Sequence, residues 1–441
     1  MSSVDSERRS LKPSPSQRVS SPPSSPMRSP HRSASGRAGL SAAQLEAEGD
    51  TSNGDKPRPP SKKPKANHWA RDVSAYDILE PIGEGTYGKV WKAKEPGCDI
   101  VVALKMIKAT DKEGNSCDGG FPITSIREIR ILRTLTHDNI VELLEVVTDS
   151  HGKVEDGKQG DVYMAFEYLE YDLWALANSS QVKLNATHIK TYMKQMLDAI
   201  AYMHTNKVMH RDLKLANMLI GADGILKVGD WGLARSFHDN QTKHTPTVIT
   251  LWYRPPEVLL RTTRYGPAVD MWSVGCILAE LLYESPILPG TQEKEQLNLI
   301  YSLCGTPTDE SWPDRTELPD WHLYATAAEE HKPRSIQSKF RFDRLGVDLV
   351  DKLLTLDPSK RLSAAEALDH PYFWHDPRVV QPSELPKFAI HSCHEFEVKK
   401  VKEKERARRK ECLQAEAKVQ EVRAAAANRP SEADAKPSDR W

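Results

Sequence analysis

The run His210-Arg211-Asp212-Leu213-Lys214-Leu215-Ala216-Asn217, followed by Asp230-Trp231-Gly232, brings an acid, a cation, an amide and a second acid into one short stretch. Phosphoryl transfer asks little covalent chemistry of a protein. It needs the acceptor hydroxyl placed, Mg²⁺ held and phosphate charge neutralised at fixed separations. These residues supply that set. Asp212 suits the base that orients the acceptor hydroxyl, Lys214 a cation beside the moving phosphate, and Asn217 and Asp230 the Mg²⁺ ligands.

Such groups work only if other elements hold the phosphates above them. Ile82-Gly83-Glu84-Gly85-Thr86-Tyr87-Gly88-Lys89-Val90 lies between two β-prone runs, Ile78 to Ile82 and Val90 to Ala93, so its glycines let backbone cover a triphosphate where side chains would collide. Glycine triplets with this spacing also occur in dinucleotide folds, but there the motif opens a helix; here a strand follows. A third run, Ile100 to Ile107, contains Ala103 and Lys105, and Lys105 is placed to reach the α and β phosphates. A helical pattern from Ile123 to about Leu135 carries Glu128, which would pair with Lys105 only when the helix is correctly rotated. Strand-like runs follow at Val141 to Val147 and Val162 to Glu167. Beyond Leu173 the pattern is helical: His188 to His204, Val269 to Tyr283, Gln292 to Leu303, Asp348 to Leu356 and Ala364 to Leu368. The expected class is α+β, a small antiparallel β-lobe with one helix followed by a larger helical lobe.

In order and spacing, the glycine loop, Lys105, Glu128, the Asp212 loop, the Asp230 triplet and Glu257 in Pro255-Pro256-Glu257 resemble the eukaryotic protein kinases over roughly Tyr76 to Phe373. The resemblance implies ATP and Mg²⁺ as cofactors. It also implies an adenine-contacting hinge at Phe166-Glu167-Tyr168-Leu169, with Phe166 at the back of the pocket, backbone groups of Glu167 and Leu169 on the base, and Asp172 near the ribose. Glu257 and Arg361 match the family's buried ion pair, a structural role. Pro122-Ile123-Thr124-Ser125-Ile126-Arg127-Glu128, Thr250-Leu251-Trp252-Tyr253-Arg254 and Asp270-Met271-Trp272 resemble the cyclin-dependent kinases, in which a cyclin swings the helix into place. In that family Thr250 would join Asp212, Lys214, Lys105 and Glu128 in the catalytic group. Thr245 holds the position of the activating phosphothreonine, with Arg127, Arg211 and Arg235 as its cations. Pro246 after it is unusual for the family and permits self-phosphorylation. Val248, Ile249 and Arg254 match the pocket for a proline directly after the phosphorylated Ser or Thr, which works because proline has no backbone N–H to leave unsatisfied.

Gly120-Phe121-Pro122-Ile123-Thr124 and Val248-Ile249-Thr250 resemble the transcription-elongation branch, whose members phosphorylate the C-terminal heptads of RNA polymerase II. A cell-cycle cyclin-dependent kinase and a silent cyclin-binding scaffold are the rival readings. Leu385-Pro386-Lys387-Phe388 and Cys393-His394-Glu395 resemble an extension that folds back toward bound nucleotide in one subgroup of that branch. A metal site at His391, Cys393 and His394 is disfavoured by crowded ligands and the lack of a second cluster. Trp231 replaces the usual Phe of the triplet, and Leu215 a common Pro; neither removes a reacting group. Thr86 and Tyr87 are available as inhibitory phosphorylation sites.

Residues 1–70 are rich in Ser, Pro and Arg without apolar periodicity, and are expected to be disordered. They hold Ser-Pro pairs at Ser14, Ser21, Ser25 and Ser29, and a basic cluster at Lys56, Arg58, Lys62, Lys63 and Lys65 that reads as a nuclear import address. The organisation expected is a kinase domain over 76–373, an extension over 374–398 and a charged tail over 399–441, helical into Ala424 to Ala427. The tail's basic run leaves nucleic acid as a partner only through such segments. The formal charge of −1 over 441 residues argues against a chain that coats nucleic acid generally. Six cysteines without CxxC pairing read as reduced thiols, and no apolar run is long enough to span a bilayer. A soluble protein of the nucleus, with the cytoplasm as second compartment, is expected.

Overall fold

A computed structural model of the chain describes residues 70–85, 88–107, 122–149, 161–237, 243–245, 248–324, 331–341, 343–390 and 392–427. All of them belong to the second of two units, 66–441. Thr86, Tyr87, Gly120, Phe121, Pro246, His391, the N-terminal Ser-Pro pairs and basic cluster, and residues 428–441 lie outside the described residues.

The β-prone runs after Tyr76 form β1 (Asp77–Gly85), β2 (Gly88–Lys94), β3 (Val101–Ile107), β4 (Leu143–Thr148) and β5 (Val162–Glu167), an antiparallel sheet in the order β1-β2-β3-β5-β4. Helix α1 (Ile123–Leu132) interrupts them. The register sets Val90 opposite Lys105, Lys105 opposite Met164, and Ala103 opposite Phe166, so Val90, Ala103, Lys105 and Phe166 share one face of the sheet. Gly88 has φ +150°, and a Cβ there would lie 1.9 Å from the Met106 carbonyl oxygen, so only glycine fits where β2 passes β3.

The larger lobe begins with β6 (Tyr171–Asp172), α2 (Leu173–Asn178) and α3 (Ala186–Thr205). Asn185 and His188 close a capping box that starts α3, the long helix on which the lobe packs. Short strands β7 (Val208–Met209), β8 (Met218–Ile220), β9 (Leu226–Val228) and β10 (Arg235–Ser236) bracket the Asp212 and Asp230 segments. Helices α4 (Pro256–Leu259), α5 (Ala268–Tyr283), α6 (Glu293–Cys304), α7 (Ile336–Lys339), α8 (Arg344–Leu353) and α9 (Ala364–Leu368) complete the lobe. Helix α5 is apolar nearly all round and buried, as a core helix should be. Cys276 and Cys304 are buried free thiols.

Three elements depart most from the ranges expected from the sequence. Helix α1 stops at Leu132 and not Leu135, where the Thr134 hydroxyl donates to the Ile131 carbonyl at 2.8 Å and competes with the helical ladder. Strand β4 starts at Leu143 because the Val141 amide goes instead to Val228 of β9. Helix α8 runs Arg344–Leu353, not Asp348 to Leu356: Asp343 caps it, and Gly346 does not break it, since a Cβ there would press within 3.0 Å of Leu282.

The segment after α9 crosses the lobe on polar and aromatic anchors. Lys190 donates to the His375 carbonyl (3.1 Å), the Val380 amide to Thr191 Oγ1 (3.3 Å), and His188 Nε2 lies 3.2 Å from the Pro386 carbonyl. Phe388 then packs between the rings of His188 and Tyr171, each with centroids 5.5 Å away. The Cys393 amide donates to Glu170 O (3.0 Å) and the Asp172 amide to Cys393 O (3.1 Å), which zips the extension onto the strand that leaves the hinge. Helix α10 (Glu395–Ala427) follows. It begins at Glu395, inside the extension expected over 374–398 and ahead of the charged tail expected from 399. Its first turns are half-buried against the sheet lobe and α2, while Lys399 and Lys402 lie over the Trp174 ring.

Candidate active site

Strands, catalytic loop and tail enclose a cleft of about 910 Å³. On its upper side Lys105 Nζ donates to Glu128 Oε1 at 2.8 Å and to Asp230 Oδ1 at 3.0 Å. Burial presses the Lys105 ammonium toward neutrality, but the carboxylates of Asp230 and Glu128 outweigh it and leave its pKa raised. Burial pushes the Glu128 carboxyl up, and Lys105 pulls it only partly back. Asp230 remains below the usual range despite its burial because Lys105 lies beside it. Its side chain keeps 34% exposure, so it faces the cleft.

On the lower side, Asp212 is held at both oxygens. Its Oδ1 accepts from Thr250 Oγ1 (2.8 Å) and the Thr250 amide (3.2 Å), and its Oδ2 from Lys214 Nζ (2.9 Å) and Asn217 Nδ2 (3.3 Å). Asn217 Nδ2 also donates to the Asp212 carbonyl at 2.7 Å, which orients its amide and leaves Oδ1 for a ligand. Burial would discharge Lys214, but Asp212 raises its pKa overall. Three residues bend the backbone into left-handed conformations around these groups: Arg211 (φ 66°), Asp230 (φ 54°) and Ile249 (φ 70°).

What holds that backbone is a residue given no role from sequence. Asp270, at the start of α5 and 1% exposed, accepts from the amides of His210 (3.0 Å) and Arg211 (2.8 Å) and lies 2.9 Å from His204 Nε2. Burial raises its pKa, yet the His204 contact leads the partners that keep it lowered. Trp231 is fully buried; its Nε1–H donates to the Val228 carbonyl (3.0 Å) and its ring meets His210 edge-on at 4.9 Å. The indole therefore ties the Asp230-Trp231-Gly232 triplet to β9 through a bond that a phenylalanine cannot make.

Of the residues singled out from sequence, Ile82, Gly83, Glu84, Gly88, Val90, Ala103, Phe166, Glu167, Leu169 and Asp172 line the same cleft as Lys105, Asp212 and Asp230, as do Val248, Ile249 and Arg254. Lys89 is exposed and does not line it. Leu169 enters no backbone–backbone hydrogen bond among the described residues, so its amide and carbonyl are available to a base. Asp172 is more committed than the ribose reading implies. One oxygen caps α2 through the Ala175 amide (2.7 Å) and the other caps α10 through the Glu395 amide. Burial pushes its pKa up to about 7. Beside it His394 is buried, with Nε2 3.5 Å from the Tyr168 hydroxyl, and burial lowers its pKa to about 4. His394, Glu395, Phe396, Lys399, Lys400 and Glu403 all border the cleft. No three His, Cys, Asp or Glu side chains gather as a metal site among the described residues.

Thr245 is exposed and lies outside the cleft. Its carbonyl accepts from the Tyr265 hydroxyl (2.8 Å), which in turn accepts from Arg211 Nη1 (2.8 Å). Arg211 and Arg235 both lower the pKa of the neighbouring His244, after its burial, so their charges reach this loop. Arg127 is exposed on α1, and no hydrogen bond or ion pair joins it to the other two among the described residues.

A family model described as the protein kinase domain matches residues 76–373. The chain belongs to the protein kinases. Its relatives narrow this: it is 48% identical over 346 residues to cyclin-dependent kinase C-1 of Oryza sativa subsp. japonica, covering 76% of this chain and 65% of that protein. With cyclin-dependent kinase 9 of Xenopus tropicalis it shares 41% identity over 327 residues, 72% of this chain and 84% of the relative. Within the kinases it is therefore a member of the cyclin-dependent family, in the transcription-associated branch of the C-type, 9 and 12 kinases. Among solved structures, the yeast RNA Pol II CTD kinase CTDK-1 complex matches with a TM-score of 0.64 and 37% identity over 73% of this chain and 99% of that one. The CAK complex of Chaetomium thermophilum bound to ATP-gamma-S matches with a TM-score of 0.63 and 38% identity, over 71% and 95%. This kinase spans 64 to 66% of the length of its plant relatives, just short of two thirds.

Proposed function

We propose that this chain is a cyclin-dependent Ser/Thr protein kinase that transfers the γ-phosphoryl group of ATP to Ser/Thr-Pro sites, with the RNA polymerase II heptads as substrate and a cyclin as regulatory subunit. The observation that carries the reading is one cleft in which the Lys105–Glu128–Asp230 set faces the Asp212–Lys214–Thr250 set. The likeness to a yeast polymerase CTD kinase and to kinases C, 9 and 12 supports the substrate and the nuclear location.

In this reading Asp212 accepts a hydrogen bond from the acceptor hydroxyl, taking the place Thr250 Oγ1 now holds, and receives its proton as the oxygen bonds to phosphorus. Lys214 neutralises charge on the phosphoryl oxygens, and Lys105, kept charged and fixed by Glu128, holds the α and β phosphates. A carboxylate at Asp230 and a free amide oxygen at Asn217 are the hard oxygen donors that Mg²⁺ takes, so the residues fit that ion. Asn217 and Asp230 would hold it, and it would supply positive charge against the phosphate oxygens.

Arg254 explains the proline preference. Its Nε (3.1 Å) and Nη2 (2.9 Å) both donate to the Ile249 carbonyl, while Glu293 holds its Nη1 at 2.7 Å. That carbonyl is unavailable to an acceptor peptide, so a residue with an N–H after the phosphorylated one leaves a polar group unpaired, and proline does not. The test is purification of the chain with its bound cyclin and assay of heptad peptides with ATP-Mg²⁺. Turnover that falls about 10³-fold in Asp212→Asn, with nucleotide binding kept, is expected. No transfer by the intact complex would instead leave a cyclin-holding scaffold. A mitotic cyclin without heptad turnover would overturn the elongation assignment.

A further inference from the structure

The carbonyl on which proline selection turns is held from outside the cleft. Resting on the proline preference proposed above, we infer that Glu293, in the first turn of α6 and not among the residues that line the cleft, is the positioning residue that sets selectivity for proline after the acceptor Ser or Thr. Ile249 stands in left-handed backbone (φ 70°), a genuine outlier for a β-branched residue, so something must keep it there. In that conformation its carbonyl accepts from Arg254 Nε and Nη2 and is withheld from a peptide in the pocket.

The grip of Arg254 depends on an anion. Its side chain is only 12% exposed, and a neutral carbonyl is a poor sole partner for a cation so far out of water. The remaining Nη1 donates to Glu293 Oε1 at 2.7 Å, while Glu293 Oε2 accepts from Arg261 Nη2 at 2.6 Å, so one carboxylate separates two guanidiniums. Burial leads the influences that lower the Arg254 pKa; Glu293 opposes it and Arg261 adds to it. Without the carboxylate the two cations repel each other, and Arg254 leaves the Ile249 carbonyl for water. That carbonyl then accepts from the amide that follows the acceptor residue, and an N–H there no longer goes unpaired. Selectivity for proline goes with it.

Other residues hold α6 in place, so the role of Glu293 is separable from the fold. Gln296, fully buried, accepts from the Gly290 amide (3.1 Å) and donates to the Trp252 carbonyl (3.4 Å), and Trp252 Nε1–H donates to the Gly290 carbonyl (3.0 Å). These bonds keep the start of the helix on the Leu251–Tyr253 turn whatever the charge at position 293. Arg261 has a second anion in Asp320, whose Oδ2 lies 3.8 Å from its Nε. Loss of Glu293 therefore strands Arg254 more than Arg261.

The experiment measures kcat/KM of the full-length chain in its cyclin complex on three peptides that differ only after the acceptor serine: proline, alanine and N-methylalanine, the last lacking an N–H without having proline's ring. The parent should favour proline and N-methylalanine over alanine by about tenfold or more, the penalty of one unsatisfied amide. In Glu293→Gln the proline-to-alanine ratio should fall about tenfold, chiefly because the alanine peptide gains. Glu293→Asp, which keeps the carboxylate, should retain most of the ratio. Each ratio is read within one preparation, so any unfolded fraction cancels. An unchanged ratio in Glu293→Gln, with both peptides slowed alike, overturns the role of Glu293 and leaves the proline preference standing, as does N-methylalanine behaving like alanine in the parent. Turnover by the parent without preference for proline would overturn the proposed substrate class, and this role with it.

Discussion

At the scale of single residues, the tightest coupling lies at Asp172 and His394, where burial shifts two titrations in opposite directions. Asp172 rises to about 7, so between the ordinary carboxylate range and pH 7 the folded state binds its proton more firmly, and stability from this group falls as pH rises through that window. His394 is lowered to about 4, so the unfolded chain binds its proton first and stability falls as pH drops from about 6.5 to 4. The two slopes oppose each other. Asp172→Asn keeps an oxygen for only one of the two caps, turns an NH₂ toward the other amide, and removes one slope. The variant should lose thermal stability more steeply than the parent between pH 6.5 and 4, measured as melting temperature against pH. Parallel curves would show that Asp172 does not titrate there. Asp172 and Asp212 were both legible as site residues in sequence, but the double capping by Asp172 was not, because its second partner lies 223 residues away.

At the scale of elements, the segment from His375 to Glu395 acts as a strap that delivers α10 to the mouth of the cleft. Its central contact is Phe388 between His188 and Tyr171, and aromatic pairs of this kind contribute roughly 0.5 to 1.5 kcal/mol each beyond area burial. Phe388→Ala is expected to speed hydrogen exchange at the Cys393 and Asp172 amides, whose bonds close the strap onto the hinge. KM for ATP should rise severalfold with kcat unchanged, since no reacting group moves. Unaltered exchange would mean that the polar anchors at Lys190 and Thr191 suffice. The motif Leu385-Pro386-Lys387-Phe388 stood out in sequence by resemblance alone. No periodicity marks a segment held by isolated side-chain anchors, so its path was not readable.

At the scale of the molecule, the buried pair Glu257–Arg361 locks α4 to the loop after α8, with Nη1 and Nη2 at 2.8 and 3.0 Å from the two carboxylate oxygens. Arg361 also donates to Thr355 and Ala268 carbonyls and lies over Trp272. Arg361→Ala should cost about 3 to 5 kcal/mol in denaturant unfolding, because it strands a buried carboxylate. Restoring stability by adding Glu257→Leu would locate that cost in the stranded charge, and a loss below about 1 kcal/mol would refute the lock. The chain's linear order determined the chemistry and the lobes: acids, amide, lysine and glycines are local patterns, and strand and helix periods are set by which face of each run is apolar. Only the tertiary structure decided how the patterns are held together. Asp270 grips the His210 and Arg211 amides from 60 and 59 residues away, Trp231 bonds β9, and the tail returns to cap itself on Asp172. Each is a buried polar group whose partner is chosen by the folded path of the backbone, and such choices leave no spacing in the sequence to read.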